Sequence, residues 1–317
     1  MIGLIQHNMK QGSAEWHEIR RGVITGSRAS DARDRSNGLE PRQQAYVDAI
    51  LQGLPESDAL RIAGYKKAPT SELVKRAVGG EVLPLVWGDK AIAYAKELAR
   101  DRVGSGRAIN LMEGFAQRMG HEEEPFAAIA WMAETGLEVE EVGFLTTEDR
   151  MFGCSPDRLV VGHPKRALEI KTMVSATTLF QCVVEGDIGD FEDQCLFEMW
   201  HMTLDQLDLC LWAPDLPKPL HIVPLMRDEA KLEAFEADML AFRELVTTYE
   251  NKLRAKLGME LVTTAGLIGG APAAVPDETK PVLAPRPTAP KRVATPVPAS
   301  EAAPFDFGAL LPAELPF

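Results

Sequence analysis

The segment DRLVVGHPKRALEIK, residues 157–171, constrains this chain more than any other, because two short apolar runs meet at a turn of Gly, His, Pro and Lys. Leu159 to Val161 reads as one strand, Gly162 to Lys165 as the turn and Ala167 to Lys171 as the returning strand. Side chains alternate across a strand, so Ala167, Glu169 and Lys171 share one face while Leu168, Ile170 and Thr172 share the other. With Ile170 in the core, Glu169 and Lys171 point together into a cleft, and pairing of the strands brings Asp157 beside Glu169.

Two carboxylates held close repel each other unless a cation lies between them, and hard oxygen donors suit Mg²⁺ or Mn²⁺. A lysine at the same place orients or helps deprotonate a water for attack on phosphorus. Together these are the minimum equipment for hydrolysing a phosphodiester. The same residues also suit an exposed hairpin with an ordinary ion pair between Glu169 and Lys171, so the reading leans on two further segments. In MGHEEEPFAAIAWMAE, Glu122 to Glu124 favour a helix N-terminus, and Glu124 is also placed to serve as a ligand, direct or through water. In FEDQCLFEMWHM, Gln194, Phe197 and either Glu198 or His201 recur at helical spacing, with Leu196, Met199 and Trp200 anchoring the opposite side. Gln194 offers a carbonyl and an amide, able to touch a water and a phosphate oxygen together.

The chain has 317 residues, enough for one catalytic domain with insertions or two ordinary domains, and 45% of them are hydrophobic, which allows a sizeable core. The opening MIGLIQHNMKQGSAEW lacks a basic start followed by an apolar run, and no stretch approaches eighteen uncharged apolar residues. Neither a signal peptide nor a membrane span is expected, and the expected location is the cytoplasm. Cys154, Cys182, Cys195 and Cys210 include no close CxxC pair, which argues against a zinc site or a disulfide framework. A formal net charge of -13 speaks against a protein that coats nucleic acid but leaves room for a local basic track.

Near the N-terminus, EWHEIRRGVITGSRASDARD places Trp16, Ile19 and Val23 on one helical face, with Arg20 at its edge and Gly22 to Ser27 as a turn. Thr25, Ser27 and Arg28 offer hydroxyls and a guanidinium that suit either a phosphate or a capping role. Residues 39–86 read as an inserted helical module. Pro41 opens a helix carrying Ala45, Val47, Ile50 and Leu51. A second begins near Ser57 with Ala59, Leu60 and Ile62, stopping at Gly64, and a third runs from Glu72 to Val78. Arg61, Lys66, Lys67, Lys75 and Arg76 gather around the last two, as in a helix-turn-helix facing a phosphate backbone. Gln44, Val47, Ala59 and the ending Ala63, Gly64, Tyr65 resemble the small helix-turn-helix domain of phage terminase small subunits, which implies DNA binding; a solvated helical elaboration is the alternative. Lys90 to Arg102 reads as a helix with Ala91, Tyr94, Ala95 and Leu98 on one side. Another is expected from near Asn110, with a brief break before Glu122, ending at Gly136; the last spans Asp228 to Leu261. Residues 262–304, rich in Ala, Pro and Gly, read as a disordered linker, and 305–317, FDFGALLPAELPF, as a partner-binding peptide.

EWHEIRRGVITGSR, MGHEEEPFAA, GCSPDRLVV, LEIKT and DQCLFEMW, in that order, resemble the YqaJ-type viral recombinase family within the PD-(D/E)xK nuclease superfamily. The resemblance covers residues 13–35 and 87 to about 250, with 1–261 expected as the nuclease domain. It implies an α/β fold with a restriction-endonuclease-like core, a mixed central sheet flanked by helices, carrying the inserted module. It implies Mg²⁺-dependent 5′-to-3′ degradation of double-stranded DNA, leaving single-stranded tails for recombination. Asp157, Glu169 and the main-chain carbonyl of Ile170 would then hold the metal, Lys171 would be catalytic, Glu124 an accessory carboxylate and Gln194 the glutamine of the final motif. Arg20 would contact the terminal 5′ phosphate, with Ser27 nearby. A homotrimer is the implied assembly, with a monomer second. The tail, ending in Leu315, Pro316 and Phe317, loosely resembles that of bacterial single-stranded DNA-binding proteins and implies an annealing or single-strand-binding partner. Two other functions compete: an endonuclease or other end-processing enzyme of the same superfamily, and a DNA-binding or packaging accessory with a degenerate site.

Overall fold

The computed structural model describes residues 4–9, 11–104 and 115–263, with only the backbone of 115–118. In chain order the elements are β1 (Leu4–His7), α1 (Ala14–Arg20), β2 (Ile24–Thr25), a 3₁₀ turn (Gly26–Arg28), α2 (Ala29–Ala32) and β3 (Arg35–Ser36). Next come α3 (Pro41–Leu51), α4 (Glu56–Ala63), α5 (Glu72–Val78), β4 (Val86–Trp87), α6 (Asp89–Val103) and α7 (Phe115–Thr135). The strands β5 (Val139–Glu140), β6 (Phe144–Thr147), β7 (Phe152–Cys154), β8 (Arg158–Val160) and β9 (Arg166–Thr172) follow. The chain then forms α8 (Ala176–Leu179), a π-helical turn (Phe180–Val184), α9 (Gly189–His201), β10 (Gln206–Trp212), β11 (Leu220–Met226) and α10 (Glu229–Lys256).

The central sheet is mixed, in the order β11-β10-β9-β8-β5, with β9 and β10 parallel and every other pair antiparallel. A parallel pair needs a crossover, and α8, the π-helical turn and α9 supply it. Alternation along β9 then sets two interfaces. Leu168 and Ile170 pack with Ala127, Ala128 and Trp131 of α7, while Ala167 packs with Cys195 and Met199 of α9. The expected mixed sheet between helices is therefore present.

A second sheet, β1-β6-β7-β2, lies against α9: Phe152 and Phe197 share a core with Ala91, Tyr94, Phe235 and Phe242 of α6 and α10. A Cβ at Gly26 would stand 3.2 Å from Cδ1 of Phe197, a tight contact that glycine avoids where the 3₁₀ turn approaches α9. That approach fixes the Arg20–Ser27 segment against the helix bearing Gln194.

The inserted helices have a core of their own, including Leu39, Tyr46, Val47, Ala59, Ala63, Val74 and Ala77. Arg35 pairs with Trp87 and Ser36 with Val86, so a two-stranded clasp brings the ends of the insert together. Two apolar positions expected to face inward, Leu51 and Ile62, are exposed, because three short helices bury only a narrow stripe each. The break expected before Glu122 does not occur. The helix runs continuously from Phe115 to Thr135 through Pro125, held by the packing of Ala127, Ala128 and Trp131 on the sheet, and its expected start near Asn110 lies outside the described residues. The last helix ends at Lys256 rather than Leu261, where Gly258 takes φ +68° and Met259 N–H turns back to the carbonyl of Arg254. The expected linker from 264 onward and the terminal peptide lie outside the described residues. Among the described residues no helix is long and apolar enough to cross a membrane, and all four cysteines are buried free thiols.

Candidate active site

Antiparallel pairing of Arg158 with Leu168 and Leu159 with Ala167 sets the register that, continued by one step, puts Asp157 opposite Glu169. Asp157 N–H donates to the Leu168 carbonyl at 3.1 Å, and Ile170 N–H donates to Asp157 Oδ2 at 2.6 Å, so the carboxyl is pinned to β9. Glu169, only 2% exposed, points from β9 toward α9. Lys171 Nζ stands 2.7 Å from Glu169 Oε1 and donates to Gln194 Oε1 at 2.9 Å. Gln194 Nε2 in turn donates to Glu169 Oε1 at 2.5 Å and to Glu198 Oε1 at 3.2 Å. The structure thus joins Glu169, Lys171 and Gln194 directly, with Asp157 in the same buried place.

Three acids share this interior with one ammonium. Burial, then the charges of Glu169 and Glu124, push Asp157 well above the usual carboxylate range, against the pull of Lys171 and the Ile170 N–H. Burial, then Glu169 and Asp157, do the same to Glu198. Burial opposes the charge of Lys171, but Glu169 and Asp157 outweigh it and hold the ammonium above the ordinary lysine value. Negative charge concentrated out of water is the condition that a cation relieves.

Among the described residues no three His, Cys, Asp or Glu side chains form a ready-made cage for a cation. A Mg²⁺ site asks for less: one or two carboxylates, with waters and substrate oxygens completing the shell. Glu169 Oε2 is buried without a hydrogen-bond partner, and Asp157 and Glu169 are hard oxygen donors on neighbouring strands. The residues present fit such an ion.

Glu124 lies on α7 and pairs with Arg158, whose Nη2 also stands 3.6 Å from Glu141 Oε1. Arg158 is a neighbour that sequence reasoning did not single out: next to Asp157 on a strand, it reads as an ordinary charged residue. Glu198 was only one of two options four or seven residues after Gln194. Glu198 turns into the site, whereas His201 turns to β6 and pairs its Nε2 with the Leu145 carbonyl at 3.2 Å.

The N-terminal cluster is partly brought together. The Arg20 guanidinium lies 4.0 Å over the Trp16 ring and donates to Ser27 Oγ at 3.1 Å, and burial pushes its pKa down to about 10, still charged near neutrality. Burial, then Glu198 and Glu169, push the Cys154 thiol on β7 well up, while Arg20 pulls it down. Thr25 is buried against Tyr94 with its hydroxyl also 3.4 Å from Ser27 Oγ, and Arg28 is spent on Asp31 and Glu97 over the Tyr94 ring. In the insert, Arg61 pairs with Asp58, Lys75 with Glu72 and Arg76 with Glu81, so much of the basic charge meets an acid on its own module; Lys66 and Lys67 are exposed.

Residues 80–200 match the YqaJ-like viral recombinase domain, a span that includes Glu124, Asp157, Glu169, Lys171 and Gln194 and starts after most of the insert. The fold is similar to that of an alkaline exonuclease, LHK-Exo, from Laribacter hongkongensis, with a TM-score of 0.52 and 21% identity over 78% of this chain and 98% of that one. The same values hold for that protein in complex with dAMP. A phage-related exonuclease from Haemophilus somnus 129PT aligns at 15% identity over 60% of this chain and 91% of its own, with a TM-score of 0.40. No curated relative matches the sequence.

Proposed function

We propose that this chain is a Mg²⁺-dependent 5′-to-3′ exonuclease of double-stranded DNA, leaving single-stranded tails. The observation that carries the reading is the buried set of Asp157 and Glu169 beside Lys171 and Gln194, on a fold similar to that of an alkaline exonuclease. Asp157, Glu169 and the Ile170 carbonyl would hold the ion, with Glu124 accessory to them. Bound there, Mg²⁺ supplies charge neutralisation and Lewis acidity.

The chain's own groups do the rest. Lys171, held charged by its acidic neighbours, presents a fixed ammonium to the negative charge that grows on the phosphate. Gln194 holds that ammonium through its carbonyl and Glu169 through its amide, so both keep their places without solvent reorganisation. Arg20, braced on Trp16 and Ser27, supplies a charged donor for a terminal phosphate, which favours ends over interior sites.

Digestion of linear duplex DNA with a 5′ phosphate or a 5′ hydroxyl, beside a closed circular duplex, tests the reading. Mg²⁺-dependent loss of the 5′-phosphorylated linear substrate, with the circle intact, is the expected result. Equal cutting of the circle would make the chain an endonuclease instead.

A further inference from the structure

Glu198 is 1% exposed, its Oε1 accepts from Gln194 Nε2, and its Oε2 is buried without a hydrogen-bond partner. A buried carboxyl oxygen left unpartnered is a cost to the fold, so the side chain is not there to stabilise α9, which has Phe197 and Met199 for that. It accepts from the amide that touches Lys171 and Glu169, and its carboxyl also lies against that of Glu169.

That amide has two possible orientations. In the observed one its carbonyl faces an ammonium and its two N–H bonds are taken by two carboxyl groups, which uses all its hydrogen-bonding directions but one lone pair. Flipped, the NH₂ would meet the Lys171 ammonium and the carbonyl would meet two carboxyls, donor against donor and acceptor against acceptor. Glu169 alone fixes one N–H; the second acceptor makes the flipped state unfavourable on both sides.

We propose that Glu198 is a positioning residue for the nuclease centre: by accepting the second amide N–H it locks Gln194 with its carbonyl on Lys171, and so sets where that ammonium sits. The inference rests on the nuclease reading for its kinetic consequence and on geometry alone for the lock itself. Glu198 acts through Gln194 and need not touch DNA or the ion.

Two readouts on the full chain test it. In ¹H–¹⁵N spectra of the metal-free protein, the Gln194 side-chain NH₂ pair, assigned by its loss in Gln194→Ala, is expected shifted and slow to exchange in wild type and in Glu198→Gln, which keeps an acceptor oxygen. In Glu198→Leu it should move to the position and exchange of a free amide. On 5′-phosphorylated linear duplex, Glu198→Leu should lower kcat on the order of 10–100-fold with KM little changed, and Glu198→Gln should recover most of that loss. In the Gln194→Ala background Glu198→Leu should add nothing. If the leucine variant fails to fold, Glu198→Met takes its place, being of similar length without an oxygen acceptor. An unchanged Gln194 resonance in the leucine or methionine variant overturns the lock, as does a full additional loss in the Gln194→Ala background. A wild-type protein that cuts no DNA would sink the nuclease reading while the spectra still decided the lock.

Discussion

At the residue scale the site is an exercise in matching acids to the few cations available. Lys171 serves Glu169 and Gln194 at once, Arg158 serves Glu124, and Arg20 rests on Ser27 and the rings of Trp16 and Phe144, with no carboxylate among the contacts described for it. A half-buried guanidinium without a carboxylate partner binds an incoming anion without first giving one up. Arg20→Ala should therefore erase the preference for a 5′ phosphate over a 5′ hydroxyl, a loss of about 10–100-fold at the strength of a charge-assisted hydrogen bond. Rates on the 5′-hydroxyl duplex should hardly change; a variant that kept its phosphate preference would remove Arg20 from the end site. Legibility also varied by residue. Asp157, Glu169 and Lys171 could be read because period-two alternation and hairpin register depend only on local sequence. The contacts of Thr25 with Tyr94 and of Arg28 with Glu97 could not, because those partners come from α6, some seventy residues away.

Helix α9 shows how one element carries two tasks. Gln194 and Glu198 face the acids of the central sheet, and His201, one turn on, pairs with the Leu145 carbonyl and docks the helix on the second sheet. Burial drops the His201 pKa from 6.5 to about 4, so the folded chain holds it neutral where the unfolded chain takes up a proton. Its contribution is therefore complete above about pH 6.5 and fades as the pH falls toward 4, at most about 3 kcal/mol across that window. Asp157 and Glu198, with raised values, act in the opposite sense, favouring the folded state as the pH falls. They are common to both proteins in a comparison of wild type with His201→Gln. The urea midpoint of wild type should fall further between pH 6.5 and 4.5 than that of the variant; parallel curves would show that His201 takes up no extra proton on unfolding. Helix existence was legible from apolar spacing, as in Ala91, Tyr94, Ala95 and Leu98 of α6. The continuity of α7 through Pro125 was not, because the sheet that holds it together is formed by residues further along the chain.

Across the whole molecule, the insert and the sheet-bearing core are separately built. The β3–β4 clasp closes residues 39–86 on themselves, and their helices have their own core, which is why they could be read as a unit from sequence while their relation to DNA could not. The mixed sheet followed from resemblance rather than from periodicity, since its two local pairs, β8–β9 and β10–β11, are joined only where β9 meets β10 across a crossover of more than thirty residues. On the proposed function, this assembled sheet and α9 make a phosphodiester-cleaving centre in which Lys171 acts on the phosphate. The direct measurement is Mg²⁺-dependent cleavage of linear duplex DNA by Lys171→Met, which keeps most of the stem beside Phe191, with folding checked by circular dichroism and duplex affinity measured in parallel. The prediction is a folded protein whose cleavage falls on the order of 10²–10³-fold while duplex binding stays within about twofold; a folded variant cutting at the wild-type rate would contradict it.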